Sequence, residues 1–189
     1  MTDELPTEHF EHAEHAEHAA HSGTPFLLTV SVTIAILAVA AATVGSLESL
    51  ETAAALSEQN RAALLQNKTT DQWSFFQAKS VKKNAYEIAA RQSQGALAQN
   101  FSEQAARNEA ESKAIREKAD SLESEVETRL HEAERHEHRH HVLTVGVTLL
   151  HVAIAITTVA IITGGRRWPW GLGIALGVAG VALAGYAYL

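Results

Sequence analysis

Histidine is the residue with the widest chemical options in this chain, and its placement is uneven. Of 11 histidines, five (His9, His12, His15, His18 and His21) recur every third position in an N-terminal His-Ala-Glu repeat, among Asp3, Glu4, Glu8, Glu11, Glu14 and Glu17. On a helix, neighbours three apart are adjacent but precess around the axis, so all five cannot share one face. Adjacent pairs could hold Zn²⁺ or another divalent metal with intervening glutamates as further ligands. The competing reading is a solvated low-complexity tail with only incidental metal affinity. A second group, His136, His138, His140 and His141, stands beside Glu134 and Glu137. There His136/His140 and Glu137/His141 are i,i+4 pairs, the spacing a two-ligand helical metal site requires, although no HExxH pattern is present. A titratable collar anchoring a helix among lipid headgroups explains the same residues. The last of the set, His151, lies in an apolar run with Thr144, Thr148 and Thr158 on one helical face. An ionisable group in such a place points to a proton or ion path; its structural alternative is a neutral imidazole hydrogen-bonded to a neighbouring helix.

Long apolar elements must carry these residues. Residues 142–163 contain no Asp, Glu, Lys or Arg, and as a helix they rise roughly 33 Å, enough for a bilayer core. Residues 25–47 form a second uncharged run, opening with Pro25 after Thr24 in the manner of a helix start. Its Ala38, Ala42, Gly45 and Ser49 make a small-residue stripe suited to close helix contact. No basic n-region precedes this run, so it is expected to stay as an anchor rather than be removed as a signal peptide. Residues 168–189 are the third run. Gly164-Gly165-Arg166-Arg167-Trp168-Pro169-Trp170 reads as the tight turn before it, with Trp168 and Trp170 as interface residues. Gly173, Gly177 and Gly180 supply a smooth helix-packing face. The overall mean hydropathy of −0.07 therefore averages apolar ends with a very polar middle.

That middle, residues 48–141, has no proline and a single glycine after Gly45, Gly95. Good helix formers with one breaker predict two long helices hinged there, rising roughly 70 and 60 Å. Asn100 with Glu103 offers a capping box for the second arm, which places the tip at residues 95–100. The second arm carries a heptad: Phe101, Ala105, Asn108, Ser112, Ile115, Ala119, Leu122, Val126, Arg129, Ala133. The first arm shows a weaker one at Leu50, Ala54, Ser57, Arg61, Leu64, Phe75, Ala78, Ala85 and Ala89, interrupted by Lys68, Asp71 and Lys82. Thr69-Thr70-Asp71 could break the first arm and give a three-helix arrangement instead. The expected fold is thus all-α, with three transmembrane helices and an extramembrane antiparallel, coiled-coil-like hairpin between the first and second spans.

Trp73, Phe75 and Phe76 concentrate aromatic surface in an Ala-rich arm, as a docking surface or as the core where arms meet. The run Asp71-Gln72-Trp73, the two phenylalanines and Gln77-Ala78-Lys79-Ser80-Val81-Lys82 resemble the signature of the bacterial domain-of-unknown-function family 4337 (DUF 4337). The His/Glu/Ala tail, the span after it and the apolar C-terminal hairpin are similar too. The resemblance implies a bacterial integral membrane protein, in the inner membrane, and carries no enzymatic activity with it.

Zero cysteine excludes disulfides, thiolate metal sites and thiol nucleophiles. No G-x-S-x-G, phosphate-binding loop or dinucleotide fingerprint occurs, and a net charge of −7 gives no support for nucleic-acid binding. The expectation is a non-catalytic multi-pass membrane protein with no obligatory cofactor. It is expected to oligomerise with itself and to present the hairpin as a scaffold, with a protein partner through the hairpin. The alternative is a metal- or proton-responsive channel or transport accessory using the histidines. Arg61, Arg129, Arg135 and Arg139 near the hairpin base favour a cytoplasmic hairpin, while the Arg166-Arg167 turn argues the other way.

Overall fold

In a computed structural model of the protein, residues 25–189 are described; the tail histidines His9, His12, His15 and His18 lie outside them. The described residues are all-α, with three helices and no strand: α1 (Pro25–Gln92), α2 (Ala96–Ile162) and α3 (Arg167–Tyr186). Each is long and apolar enough over part of its length to cross a membrane. The apolar runs and the polar arms are not separate helices. α1 and α2 each pass from one to the other without a break, α1 over 68 residues and α2 over 67. The possible interruption at Thr69–Asp71 does not occur. Thr69 and Thr70 bond their hydroxyls to the carbonyls of Leu65 and Gln66 inside the helix, at 3.0 Å each, which removes the competition with backbone that makes such residues breakers.

Two linkers separate the helices. α1 ends before Gly95, whose φ of +63° is the left-handed conformation a glycine adopts without strain. α2 has already begun at Ala96, so the linker between α1 and α2 is residues 93–95, and Asn100 is helical rather than a cap. The physical reason is that a glycine in the left-handed region ends a helix and lets the next start at once, without a separate capping box. α2 ends at Gly164 and Gly165, with φ of +70° and +87°; Gly165 N–H bonds Ala160 O at 2.9 Å, closing a Schellman-type end.

The residues form two compact units, one ending at Ala54 and resuming at Arg135–Leu189, the other Ala55–Glu134. In the first, α1, α2 and α3 share an apolar core that includes Val30, Ile34, Leu37, Ala41, Val44, Leu143, Leu150, Ala153 and Ile154. Gly173, Gly177 and Gly180 are buried and let α3 approach closely. A Cβ on Gly173 would meet Thr157 Oγ1 and Ala153 O, and one on Gly177 would meet Leu37 of α1. One on Gly180 would lie 2.8 Å from Gly146 O. The Ala38–Ser49 stripe is split, with Ala38 buried in this core. Ala42 and Ser49 are exposed and a Cβ on Gly45 would touch nothing within 4 Å. The buried face of α1 is the heptad Val30, Ile34, Leu37, Ala41, Val44, whose larger side chains bury more apolar area than the alanine stripe.

In the second unit, α1 and α2 touch at Glu58 with Arg129, Lys79 with Glu111, and Tyr86 with Phe101. The α2 seam matches the expected heptad, with Ala105, Asn108, Ser112, Ala119, Val126 and Ala133 all buried. The α1 seam is displaced by one residue from the expected one. Ala55, Ala62 and Thr69 are buried and Glu58, Leu65, Phe76, Lys79, Lys83 and Tyr86 half-buried, while Ser57, Arg61, Leu64 and Phe75 are exposed. Leu64 and Phe75 are matched on the true seam by Leu65 and Phe76, and that seam also pairs Glu58, Lys79 and Lys83 with Arg129, Glu111 and Glu109 of α2.

Candidate functional site

The most concentrated polar chemistry in the first unit lies at the arm-proximal end of its apolar core. Glu48, Glu51 and Thr52 are one turn apart on α1. His136, Arg139, His140 and Thr144 share a face of α2, and Tyr188 follows the end of α3. Glu51 is only 7% exposed. Its carboxylate meets His136 Nδ1 at 2.6 Å and Arg139 Nη1 at 3.9 Å, with the Tyr188 hydroxyl nearby. Arg139 stacks over the Tyr188 ring at 5.2 Å. A second set adjoins it. Thr144 Oγ1 donates to Glu48 Oε1 at 2.6 Å, and His140 Nδ1 lies 3.0 Å from Thr52 Oγ1 and 3.7 Å from Glu48 Oε1.

The electrostatics of Glu51 follow from these contacts. Burial pushes its carboxyl upward, but His136 and the Tyr188 hydroxyl, with the charges of His136 and Arg139, outweigh burial and hold it below the usual glutamate range. A buried carboxylate with this many donors is a structural tie among three helices.

The candidate metal ligands divide. His136 and His140 turn to α1, while His138 and His141 are exposed, His141 3.9 Å from Glu137 on its own helix. Among the described residues, no three His, Asp or Glu side chains converge as a metal site. The i,i+4 spacing of His136 and His140 places them on one face, but each is taken by a partner of α1 rather than by the other.

The polar stripe within the apolar run is also split. Thr144 joins the Glu48 set, Thr148 and His151 lie on the exposed face, and Thr158 is half-buried with its hydroxyl bonded to Ile154 O at 2.9 Å. The fully buried threonine is Thr157, one residue away, bonded to Ala153 O at 2.7 Å. At the opposite end of the core Trp170 Nε1 donates to Thr33 Oγ1 at 3.1 Å and packs edge-on to Phe26. Trp170 is therefore an internal contact, and Trp168 alone of the pair is exposed. In the second unit Trp73 and Phe76 pack edge-to-face at 5.6 Å, whereas Phe75 points outward, 59% exposed.

Sequence reasoning did not single out Glu48, Glu51, Thr52 or Thr33. A signal for the first two existed: three and four residues separate Val44, Glu48, Glu51 and Ala55, so the two glutamates continue the heptad out of the apolar run. Thr33 had no such signal, because its partner comes from a distant helix.

No curated protein matches the chain, and no solved structure does. The family model described as Domain of unknown function (DUF4337) matches residues 26–189, nearly everything from α1 onward, and the chain belongs to that family.

Proposed function

We propose that the chain is a non-catalytic multi-pass protein of the bacterial inner membrane, in which residues 25–47, 142–163 and 168–189 cross the bilayer. In this reading the polar parts of α1 and α2 form an antiparallel hairpin outside the membrane. That hairpin is a scaffold through which copies of the chain, and protein partners, associate.

The observation that carries this reading is the continuity of α1 and α2 from apolar run to polar arm. Two further features support it. Large apolar side chains such as Val32, Ile36, Val39, Val152, Val178 and Val181 face outward from the apolar core, which suits lipid and not water. The contacts also run in opposite directions along the arms. Glu58 to Tyr86 in α1 spans as many residues as Phe101 to Arg129 in α2, four heptads in each case.

Ion flux separates this reading from transport. Liposomes containing the chain are expected to show no pH-dependent ion flux on either side of about pH 6.5, the ordinary imidazole pKa. A flux that disappears in His151→Gln would overturn the scaffold reading in favour of conduction.

A further inference from the structure

The exposed face of α1 in the second unit is not an ordinary solvated surface. Leu64 and Phe75 are 65% and 59% exposed. With Ser57, Arg61, Lys68, Asp71, Ala78 and Lys82 they repeat at spacings of three and four, one residue out of step with the seam. α1 therefore carries two helix-packing stripes, and α2 fills only one of them. Intrachain contacts fix which levels of α1 and α2 correspond, since Glu58 meets Arg129 and Tyr86 meets Phe101. In that register Arg61, Lys68 and Asp71 stand level, to within one residue, with Glu127, Asp120 and Arg116. Those three α2 residues are exposed and share an outer stripe of their own. The sign sequence on α1 (plus, plus, minus) is the complement of that on α2 (minus, minus, plus).

We propose that the outer stripe of α1 centred on Leu64 and Lys68 docks onto the outer stripe of α2 of a second copy of this chain, head to tail, with Arg61, Lys68 and Asp71 facing Glu127, Asp120 and Arg116 of that copy. The proposal rests on the hairpin and self-association reading above and names the surface it uses. In an antiparallel helix pair these two stripes fall on opposite sides of the pair, the requirement for a head-to-tail contact that repeats and can close into a ring. Copies anchored in one bilayer stand side by side at one height, so the levels fixed within a chain hold between chains. A two-fold contact through the α1 stripe alone is disfavoured, because it sets Arg61, Lys68 and Lys82 against their own copies. Two of these groups already pair on their own helix: Arg61, itself exposed, with half-buried Glu58, and Arg116 with Asp120 at 3.9 Å. Docking exchanges them for interchain pairs and covers Leu64 and Phe75.

The chain contains no cysteine, so engineered cysteines report on this contact without background. In the full chain in membranes, Arg61→Cys/Glu127→Cys is expected to give a disulfide ladder of dimer and higher species on oxidation. Either single variant should give none. A charge-reversal set adds a second readout: Lys68→Glu and Asp120→Lys should each lose the oligomer in light scattering, and Lys68→Glu/Asp120→Lys should regain it. Cross-linking by Arg61→Cys alone would mean a two-fold contact and overturns the proposal. An oligomer that persists in all charge variants, without a ladder, overturns this surface while leaving self-association standing. A monomeric wild-type chain overturns both.

Discussion

Gly180→Ala tests the packing of α3 most sharply. The added Cβ would lie 2.8 Å from Gly146 O and 3.0 Å from Leu150 Cγ, against the 3.5–4.0 Å of ordinary carbon contacts. Gly146 O is backbone and cannot swing away, so α2 and α3 must part by roughly half an ångström or more along this stretch. Overpacking of this kind costs about 1–3 kcal/mol. Alanine recovers about 0.5–1 kcal/mol from its better helix propensity, which leaves a net loss of about 0–2.5 kcal/mol. Gly45→Ala is the matched control, since its Cβ meets nothing within 4 Å; it should gain about 0.5–1 kcal/mol. Denaturant unfolding in mixed micelles, followed by far-ultraviolet circular dichroism, measures both. Gly146→Ala should resemble Gly180→Ala, because its Cβ would lie 3.0 Å from Gly180 O. The Gly146→Ala/Gly180→Ala variant should cost less than the two losses added, since one separation of the helices relieves both clashes. If Gly180→Ala proves as stable as Gly45→Ala, the close α2–α3 approach is refuted.

Glu51 makes a pH prediction. Its carboxyl is held below the usual glutamate value of about 4.3, so its contribution to stability is present above that value and is lost as pH falls through the lowered one. Unfolding of the wild-type chain should therefore steepen in acid below about pH 4.3, and Glu51→Gln should blunt that dependence while costing about 1–3 kcal/mol at neutral pH, as a denaturant titration at each pH would report. A short flexible epitope inserted at Gln94 should leave the helical content unchanged, whereas the same insertion at Leu122 should disrupt the second unit; circular dichroism and protease resistance decide between them. His151 lies on the exposed face of α2; His151→Leu should weaken self-association by about 1 kcal/mol or less, while His151→Gln retains it, read by light scattering in mild detergent.

The heptad of the second arm was legible because most of its inward positions are small or apolar, with Asn108 and Arg129 the exceptions, and spacing identifies the face. The first arm misled for a physical reason. It has two stripes one residue apart, and the outward one carries Leu64 and Phe75 while the inward one carries Glu58, Lys79 and Lys83. Apolar periodicity does not separate them, because Leu64 and Phe75 are matched by Leu65 and Phe76 one residue on; the ion pairs across to α2 identify the inward one. Gly173, Gly177 and Gly180 were legible as a packing face because a smooth ridge has one use in an apolar helix, although their partners within the chain, Thr157, Leu37 and Gly146, were not. The histidines were the most visible residues and the least informative. His136 and His140 are defined by Glu51, Glu48 and Thr52, more than eighty residues earlier in the chain, and spacing within α2 carries no trace of such partners.

The central claim is that the apolar runs cross a bilayer while the tip of the arms and the α2–α3 turn lie on opposite sides of it. Because the native chain lacks cysteine, single cysteines at Gln94, Ile36, Val178 and Arg166 can be probed with a membrane-impermeant maleimide in sealed membrane vesicles of known orientation. The account predicts that Gln94→Cys and Arg166→Cys label from opposite faces, and that Ile36→Cys and Val178→Cys, exposed on the protein but buried in lipid, stay unlabelled until detergent is added. Rapid labelling of Ile36→Cys or Val178→Cys in intact vesicles, or labelling of Gln94→Cys and Arg166→Cys from the same face, would contradict it.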